Sequence, residues 1–191
     1  MDRVCRAWVE LVAKTYDLPE PIYEFGAKWK LKDDLLGAAN TYNLSTIFPG
    51  KQYVGVNLNQ HHGVDLVADM QDTGLPAESV GSIICLNTLE HVENPLRAVE
   101  ECYRLLRPGG WLLLQSVFWY PLHSKPQDYW RFTQYCFEKL LLHEFTEKAV
   151  EAVGFQLKAP KWIAALARKV PCLPVLPLFE EAWNELGQPQ R

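Results

Sequence analysis

Residues 65–117 read "DLVADMQDTGLPAESVGSIICLNTLEHVENPLRAVEECYRLLRPGGWLLLQSV", and the pattern inside them decides the fold. "GSIICLN" (81–87) is an apolar run of strand length without an alternating polar face, as in a parallel strand covered on both sides. The segment from Asn94 to Arg107 predicts a helix. Asn94 can cap it, Pro95 suits its first position, and Leu96, Val99, Tyr103 and Leu106 fall on one stripe. Arg104 and Arg107 suit the negative end of its dipole, and Pro108-Gly109-Gly110 is a stop signal. "WLLLQSVF" (111–118) predicts the next buried strand. Strands separated by helices in this way predict a parallel α/β sheet.

Upstream, "PIYEF" (21–25) predicts a strand ended by Gly26, "QYVGVNLN" (52–59) a second and "GVDLVAD" (63–69) a third. Val4, Trp8, Leu11 and Val12 predict an amphipathic helix over residues 2–16. Residues 31–47 are ambiguous; a helical segment there would turn Leu35, Leu36 and Ala39 inward. Downstream, Thr133 is placed to cap a helix through Leu142, and "EFTEKAVEAVGF" (144–155) predicts another ending at Gly154. "FQLKAPKWI" (155–163) predicts a last strand, put at the sheet edge because Pro160 has no amide hydrogen. The proline-rich tail leads to a short amphipathic helix. The chain thus divides into an N-terminal helix (1–18), a core (20–158) and a C-terminal extension (159–191) of a single domain, which suits 191 residues.

The formal net charge of −4 gives no general electrostatic case for nucleic acid or an anionic membrane. No stretch has the length of a membrane span, and Asp2, Arg3, Arg6 and Glu10 interrupt any apolar signal-peptide core. Five cysteines without a CxxC pair argue for a reducing compartment, and the expected location is cytoplasmic. His61, His62 and Asp65 share one turn without a further ligand pattern, so no metal is expected. There is no G-x-G-x-x-G, no Walker sequence and no G-x-S-x-G elbow.

Taken in order, the strand ends of residues 65–117 resemble those of class I S-adenosylmethionine-dependent methyltransferases. An acidic residue follows the third strand, then come an "LP" turn, a buried fourth strand, "LEHV", a helix and "LRPGG". "PLHSKPQDYWRFT" (121–133) and "FPGKQYVGVNLNQHHGVD" (48–65) resemble a subgroup of small bacterial methyltransferases. The resemblance covers roughly residues 20 to 158. It implies a Rossmann-like, doubly wound, mostly parallel sheet with helices on both faces, and it leaves open a truncation at the C-terminal strands. It also implies S-adenosyl-L-methionine as cofactor and a small-molecule or glycan-type acceptor.

The same resemblance implies roles for the strand ends. In "IYEFGAKWK" (22–30), Glu24, Phe25, Gly26 and Ala27 form a cofactor loop with one glycine. S-adenosylmethionine has no phosphate, so the several glycines that close on a pyrophosphate are not required. Asn57, with Leu58 beside it, takes the ribose position, where the family usually keeps Asp or Glu. The amide retains a contact but loses about 1 kcal/mol of charge assistance. Asp69 and Met70 are the adenine contacts, and Asn87 and Thr88 flank the methionine moiety. His91 and His123 are the candidate catalytic bases, since histidine takes up protons near neutral pH. His123, Tyr129 and Arg131 are substrate-facing candidates, with Trp130 and Phe132 as anchors; a scaffold of Arg131 paired with Asp128 is the plainer alternative.

Two other functions stay open at this point. The depleted glycine loop and Asn57 fit a degenerate methyltransferase fold acting as a binding or interaction module. A nicotinamide-dependent enzyme on the same architecture lacks its fingerprint. Monomer and homodimer are both compatible with the sequence.

Overall fold

The computed structural model describes residues 3–28, 43–154 and 160–169. Seven strands form one sheet in the order β3-β2-β1-β4-β5-β7-β6. They are β1 (Ile22–Phe25), β2 (Tyr53–Asn57), β3 (Leu66–Val67), β4 (Val80–Leu86), β5 (Leu106–Val117), β6 (Glu147–Val153) and β7 (Trp162–Lys169). All neighbours from β3 to β5 run parallel, and β7 is antiparallel to both β5 and β6. This is the Rossmann-like, mostly parallel sheet expected.

Period-2 alternation assigns the central strands to two cores. Ile83, Cys85, Leu112 and Leu114 face one side, with helix α2 (Pro95–Leu105) and the turn of Phe137–Leu141. Ile84, Leu86, Trp111 and Leu113 face the other, where helix α1 (Arg3–Thr15) buries Val4, Cys5, Trp8, Val9 and Val12. Both sides of β4 are therefore covered, which is why it reads as an unbroken apolar run. Burial pushes the Cys85 and Cys102 thiols up, Cys102 to about 12, so both behave as packing groups.

Helix α2 has its Asn94 cap accepting from the Arg97 amide and Pro95 in the first turn, as its sequence dictates. Its buried stripe differs from the one expected: Ala98, Val99, Cys102 and Leu105 face the sheet, while Leu96 is 43% exposed. The small residues Ala98 and Cys102 bring the helix close to the sheet. The centre of burial thus falls about a third of a turn from Leu96, at 3.6 residues per turn. The "LRPGG" stop is also early, since Leu106 already begins β5 and pairs with Val80.

The carboxyl end of the chain brings three corrections. Residues 147–153, rich in the helix formers Ala, Glu and Lys, form strand β6, because pairing with β7 outweighs local propensity. The last strand is interior, held between β5 and β6, with Pro160 lying just before it. Trp162, Ala164 and Leu166 face the α1 side, and Ile163, Ala165 and Ala167 the α2 side. With β6 and β7 present the sheet is not truncated, and the boundary expected at residue 158 falls inside it. Helix α3 (Gln134–Cys136) is capped by the Thr133 side chain and continues as a wider turn to Leu141. The expected helical segment near Leu35, Leu36 and Ala39, and the C-terminal helix, lie outside the described residues. Among the described residues no helix is long and apolar enough to cross a membrane.

On α2, Glu101 is a buried acid that ties the helix to the loop after β3. Its carboxylate accepts from the Thr73 amide at 3.0 Å and from Arg104 Nε at 2.6 Å. Arg104 above all, and Thr73, hold its carboxyl down at about 2, against an ordinary 4.5. Because the folded value is depressed, the stabilisation is complete above pH 4.5 and is lost as pH falls through about 2. Glu101→Gln is expected to be about 2 kcal/mol less stable near pH 7, with the gap closing in acid, in urea denaturation across that range.

Candidate active site

The strand order reverses between β1 and β4, and ligands of open α/β sheets bind beyond the carboxyl ends of the strands at such a point. Two cavities meet there. The larger, about 840 Å³, is lined by Glu24, Asn87, Glu90, Tyr120, His123 and Trp162 among others. The smaller, about 460 Å³, is lined by Phe25, Leu58, Asp69, Met70, Gln127 and Tyr129 among others. Gly26, Asn57, Thr88, His91 and Ser124 line both, so one elongated space runs over the ends of β1, β2 and β4.

Gly26 ends β1 with φ +79°, and a Cβ there would lie 2.0 Å from Thr88 Oγ1. The glycine is demanded by the threonine as well as by the backbone angle. The single Thr88 hydroxyl proton is shared between the Leu86 and Phe25 carbonyls, at 3.1 and 3.3 Å, which holds the end of β4 against this loop. Glu24 is buried, and one of its oxygens accepts from the Tyr53 hydroxyl at 2.7 Å. Burial, and the carboxylate beside it, push the Tyr53 hydroxyl far up and keep it a donor. Ala27 is buried and its carbonyl accepts from Asn57 Nδ2 at 2.9 Å. Asn57 therefore commits one of its two amide N–H donors to the loop after β1. A carboxylate there would face the Ala27 carbonyl oxygen, which explains physically why an amide occupies the position.

Asp69 lines the smaller cavity, but Oδ1 also accepts from the Gln71 amide at 2.9 Å, so it shapes its own turn. Asn87, at φ +47°, lines the larger cavity and directs its Nδ2 to Cys5 Sγ on α1. Leu58 is exposed on the rim of the smaller cavity, and Met70 lies buried in its wall.

The segment after β5 is fixed by Arg131. All five of its N–H groups are taken: Nη1 and Nη2 hold the Asp128 carboxylate at 2.7 and 2.9 Å, and the Tyr120, Pro121 and Trp130 carbonyls take the rest. This guanidinium holds the Asp128 carboxyl far below the usual carboxylate range. Arg131 lines neither of these two cavities, and its contacts clamp the loop. Tyr129 lines the smaller cavity, and the Trp130 indole donates to the Val92 carbonyl at 2.8 Å.

The clamp presents His123 to the larger cavity. His123 Nδ1 lies 3.2 Å from the Pro121 carbonyl and 3.4 Å from Asp128 Oδ2. Both neighbours are acceptors, so Nδ1 carries a proton, and in the neutral ring the lone pair is on Nε2. His91 is arranged likewise, its Nδ1 2.5 Å from the Gln127 carbonyl. Both Nε2 atoms lie 3.9 Å from Glu90 Oε1, and the two rings stand 4.7 Å apart. Glu90 is fully buried; Oε2 accepts from Ser116 at 2.6 Å, while Oε1 has no hydrogen-bond partner.

Several lining residues escaped the sequence reading. Tyr120 and Ser124 sit in a segment where nothing separates lining from support, and Trp162 reaches the site through its pairing with Val117. Arg3 arrives from α1.

Residues 37–114 match the model of the "Methyltransferase domain" family. Among curated proteins, the chain is 30% identical over 103 residues to a ubiquinone biosynthesis O-methyltransferase of Paraburkholderia phymatum, covering 52% of this chain and 39% of that protein. A protein of the same name from Xanthomonas oryzae pv. oryzae is 44% identical over 46 residues, 22% of this chain and 19% of that one. The matched stretch thus spans well under half of these relatives. Among solved structures, the 1,6-didemethyltoxoflavin-N1-methyltransferase of Burkholderia thailandensis, with bound S-adenosylhomocysteine, superposes with a TM-score of 0.62. Its identity is 16%, over 88% of this chain and 79% of that chain. A SAM-dependent methyltransferase from Archaeoglobus fulgidus gives 0.61 at 12% identity, over 86% and 94%. At these identities the structures speak for the fold alone.

Proposed function

We propose that this chain, a member of the class I S-adenosylmethionine-dependent methyltransferase superfamily, transfers a methyl group from that cofactor to a small-molecule or glycan-type acceptor. The observation that carries the reading is the pair of joined cavities over the ends of β1, β2 and β4. One side is lined by Asp69, Met70 and Asn57, the other by two histidines and a buried glutamate. The donor set suits the cofactor: Glu24 for the ammonium, Asn57 for the ribose, Asp69 and Met70 for the adenine edge, with Gly26, Asn87 and Thr88 beside the methionine chain. When bound, the cofactor supplies an electrophilic methyl group on a sulfonium.

The chain's own residues then orient the acceptor and handle its proton. Tyr120, Val117 and Trp162 wall the larger cavity and limit water there. A hydroxyl or amine acceptor places its proton toward the bare Nε2 of His123 or His91, which take it up. Aligning the acceptor with the methyl group accounts for much of the acceleration. The names of the curated relatives favour an oxygen acceptor. The described residues act as one domain, in the cytoplasm and without a nucleic-acid or membrane partner. The non-catalytic alternative draws on Asn57, an amide with one of its two N–H donors already committed to Ala27.

Calorimetric titration of Asp69→Ala with S-adenosylhomocysteine tests the placement. Affinity is expected to fall at least tenfold, about 1.4 kcal/mol. Unchanged affinity in a variant that folds normally would overturn the adenine assignment.

A further inference from the structure

Glu90, His91 and His123 carry an inference beyond proton transfer. Each offers one ligand atom, and the three atoms lie within 4.8 Å of one another on the wall of the larger cavity. In both rings the Nδ1 proton is turned toward an oxygen acceptor, so both Nε2 lone pairs are presented to the same point. Glu90 Oε1 is aimed at that point from the fully buried side, 3.9 Å from each nitrogen and without a hydrogen bond. Two lone pairs and a carboxylate oxygen converging on one spot repel unless a cation lies between them. A hydrogen bond from Nδ1 to a carboxylate or carbonyl is also the arrangement that fixes metal-ligating histidines.

We propose that Glu90 Oε1, His91 Nε2 and His123 Nε2 bind one divalent transition-metal ion of the zinc class. Two imidazoles and one carboxylate are a ligand set for such an ion, leaving a further position open for an oxygen of the acceptor. Ligand atoms of a tetrahedral site at zinc distances stand about 3.4 Å apart, so the two 3.9 Å separations close by small side-chain rotations. The sequence carries no ligand-spacing signature because Glu90 and His91 are adjacent while His123 comes from beyond β5. Ser116 holds the second oxygen of Glu90, and Asp128, itself fixed by Arg131, orients His123. The inference rests on the proposed function only for what the open position is for. With the ion in place the two imidazole lone pairs serve it as ligands, and the acceptor's proton leaves to water instead.

The test is a calorimetric titration of chelator-treated full-length protein with zinc chloride, repeated with cobalt chloride and read by its visible absorption. One equivalent is expected to bind saturably at micromolar or lower concentration, with cobalt bands of a low-symmetry site. His123→Ala, on the loop, and Glu90→Gln, in the core, are each expected to weaken it by about 100-fold, while His143→Ala leaves it unchanged. Absence of one-equivalent binding, or binding indifferent to His123→Ala, would overturn the site. S-adenosylhomocysteine titrated into the same metal-free protein separates the two readings. S-adenosylhomocysteine binding without zinc binding sinks only the metal site, and zinc binding without S-adenosylhomocysteine binding sinks only the methyl-transfer reading.

Discussion

Gly26→Ala is expected to lower stability by about 3 kcal/mol and to abolish measurable binding of S-adenosylhomocysteine. Two causes add. The backbone at Gly26 sits at φ +79°, where a side chain costs about 1 kcal/mol. The new Cβ would also lie 2.0 Å from Thr88 Oγ1 and 2.8 Å from its Cγ2. Thr88 has no easy retreat, since its hydroxyl is bonded to the carbonyls of Phe25 and Leu86. The clash would part the ends of β1 and β4, the floor shared by both cavities. In a Thr88→Gly background the same substitution should cost only the backbone share, about 1 kcal/mol. Thermal and urea unfolding of the four proteins check this; an undiminished cost in that background would show that the contact is not the cause.

Arg131→Ala is expected to have the next largest effect. It leaves the Asp128 carboxylate, whose side chain is only 3% exposed, without its bidentate partner, and frees the carbonyls of Tyr120, Pro121 and Trp130. Breaking this partly exposed, charge-assisted pair on one side costs about 2–3 kcal/mol. Arg131→Lys should recover little, because an ammonium cannot span both carboxylate oxygens and three carbonyls. Since Asp128 also holds the His123 amide at 2.8 Å, the loop should lose its placement of His123 while the sheet persists. Hydrogen exchange should show faster amide exchange confined to residues 118–132 in Arg131→Lys. Exchange equal to the wild type would remove the clamp from the account.

How much of this was legible follows from where the physical signal sits. β4, α2 and β5 were readable because residues buried on both faces, a cap and a proline leave local marks. β6 was not, because Glu147 to Val153 is rich in helix formers and its strand state comes from pairing with β7 further along the chain. β7 was misplaced at an edge because Pro160 weighed on a strand that begins only at Trp162. At the site, the strand-end rule found Glu24, Gly26, Asn57, Asp69 and Thr88, which all line the two cavities. It could not separate Arg131 from His123, three-dimensional neighbours through Asp128 with opposite directions. Nor could it show that Glu90 is wholly buried, since "LEHV" gives no sign of which acid faces Ser116.

The central claim is that the joined cavities hold S-adenosylmethionine. Calorimetric titration of the wild-type protein with S-adenosylhomocysteine tests it most directly. The account predicts saturable binding of one equivalent with a dissociation constant in the micromolar range, a free energy of about −8 kcal/mol at 1 μM. No heat of binding at protein concentrations of several hundred micromolar, from protein shown to be folded, would contradict it.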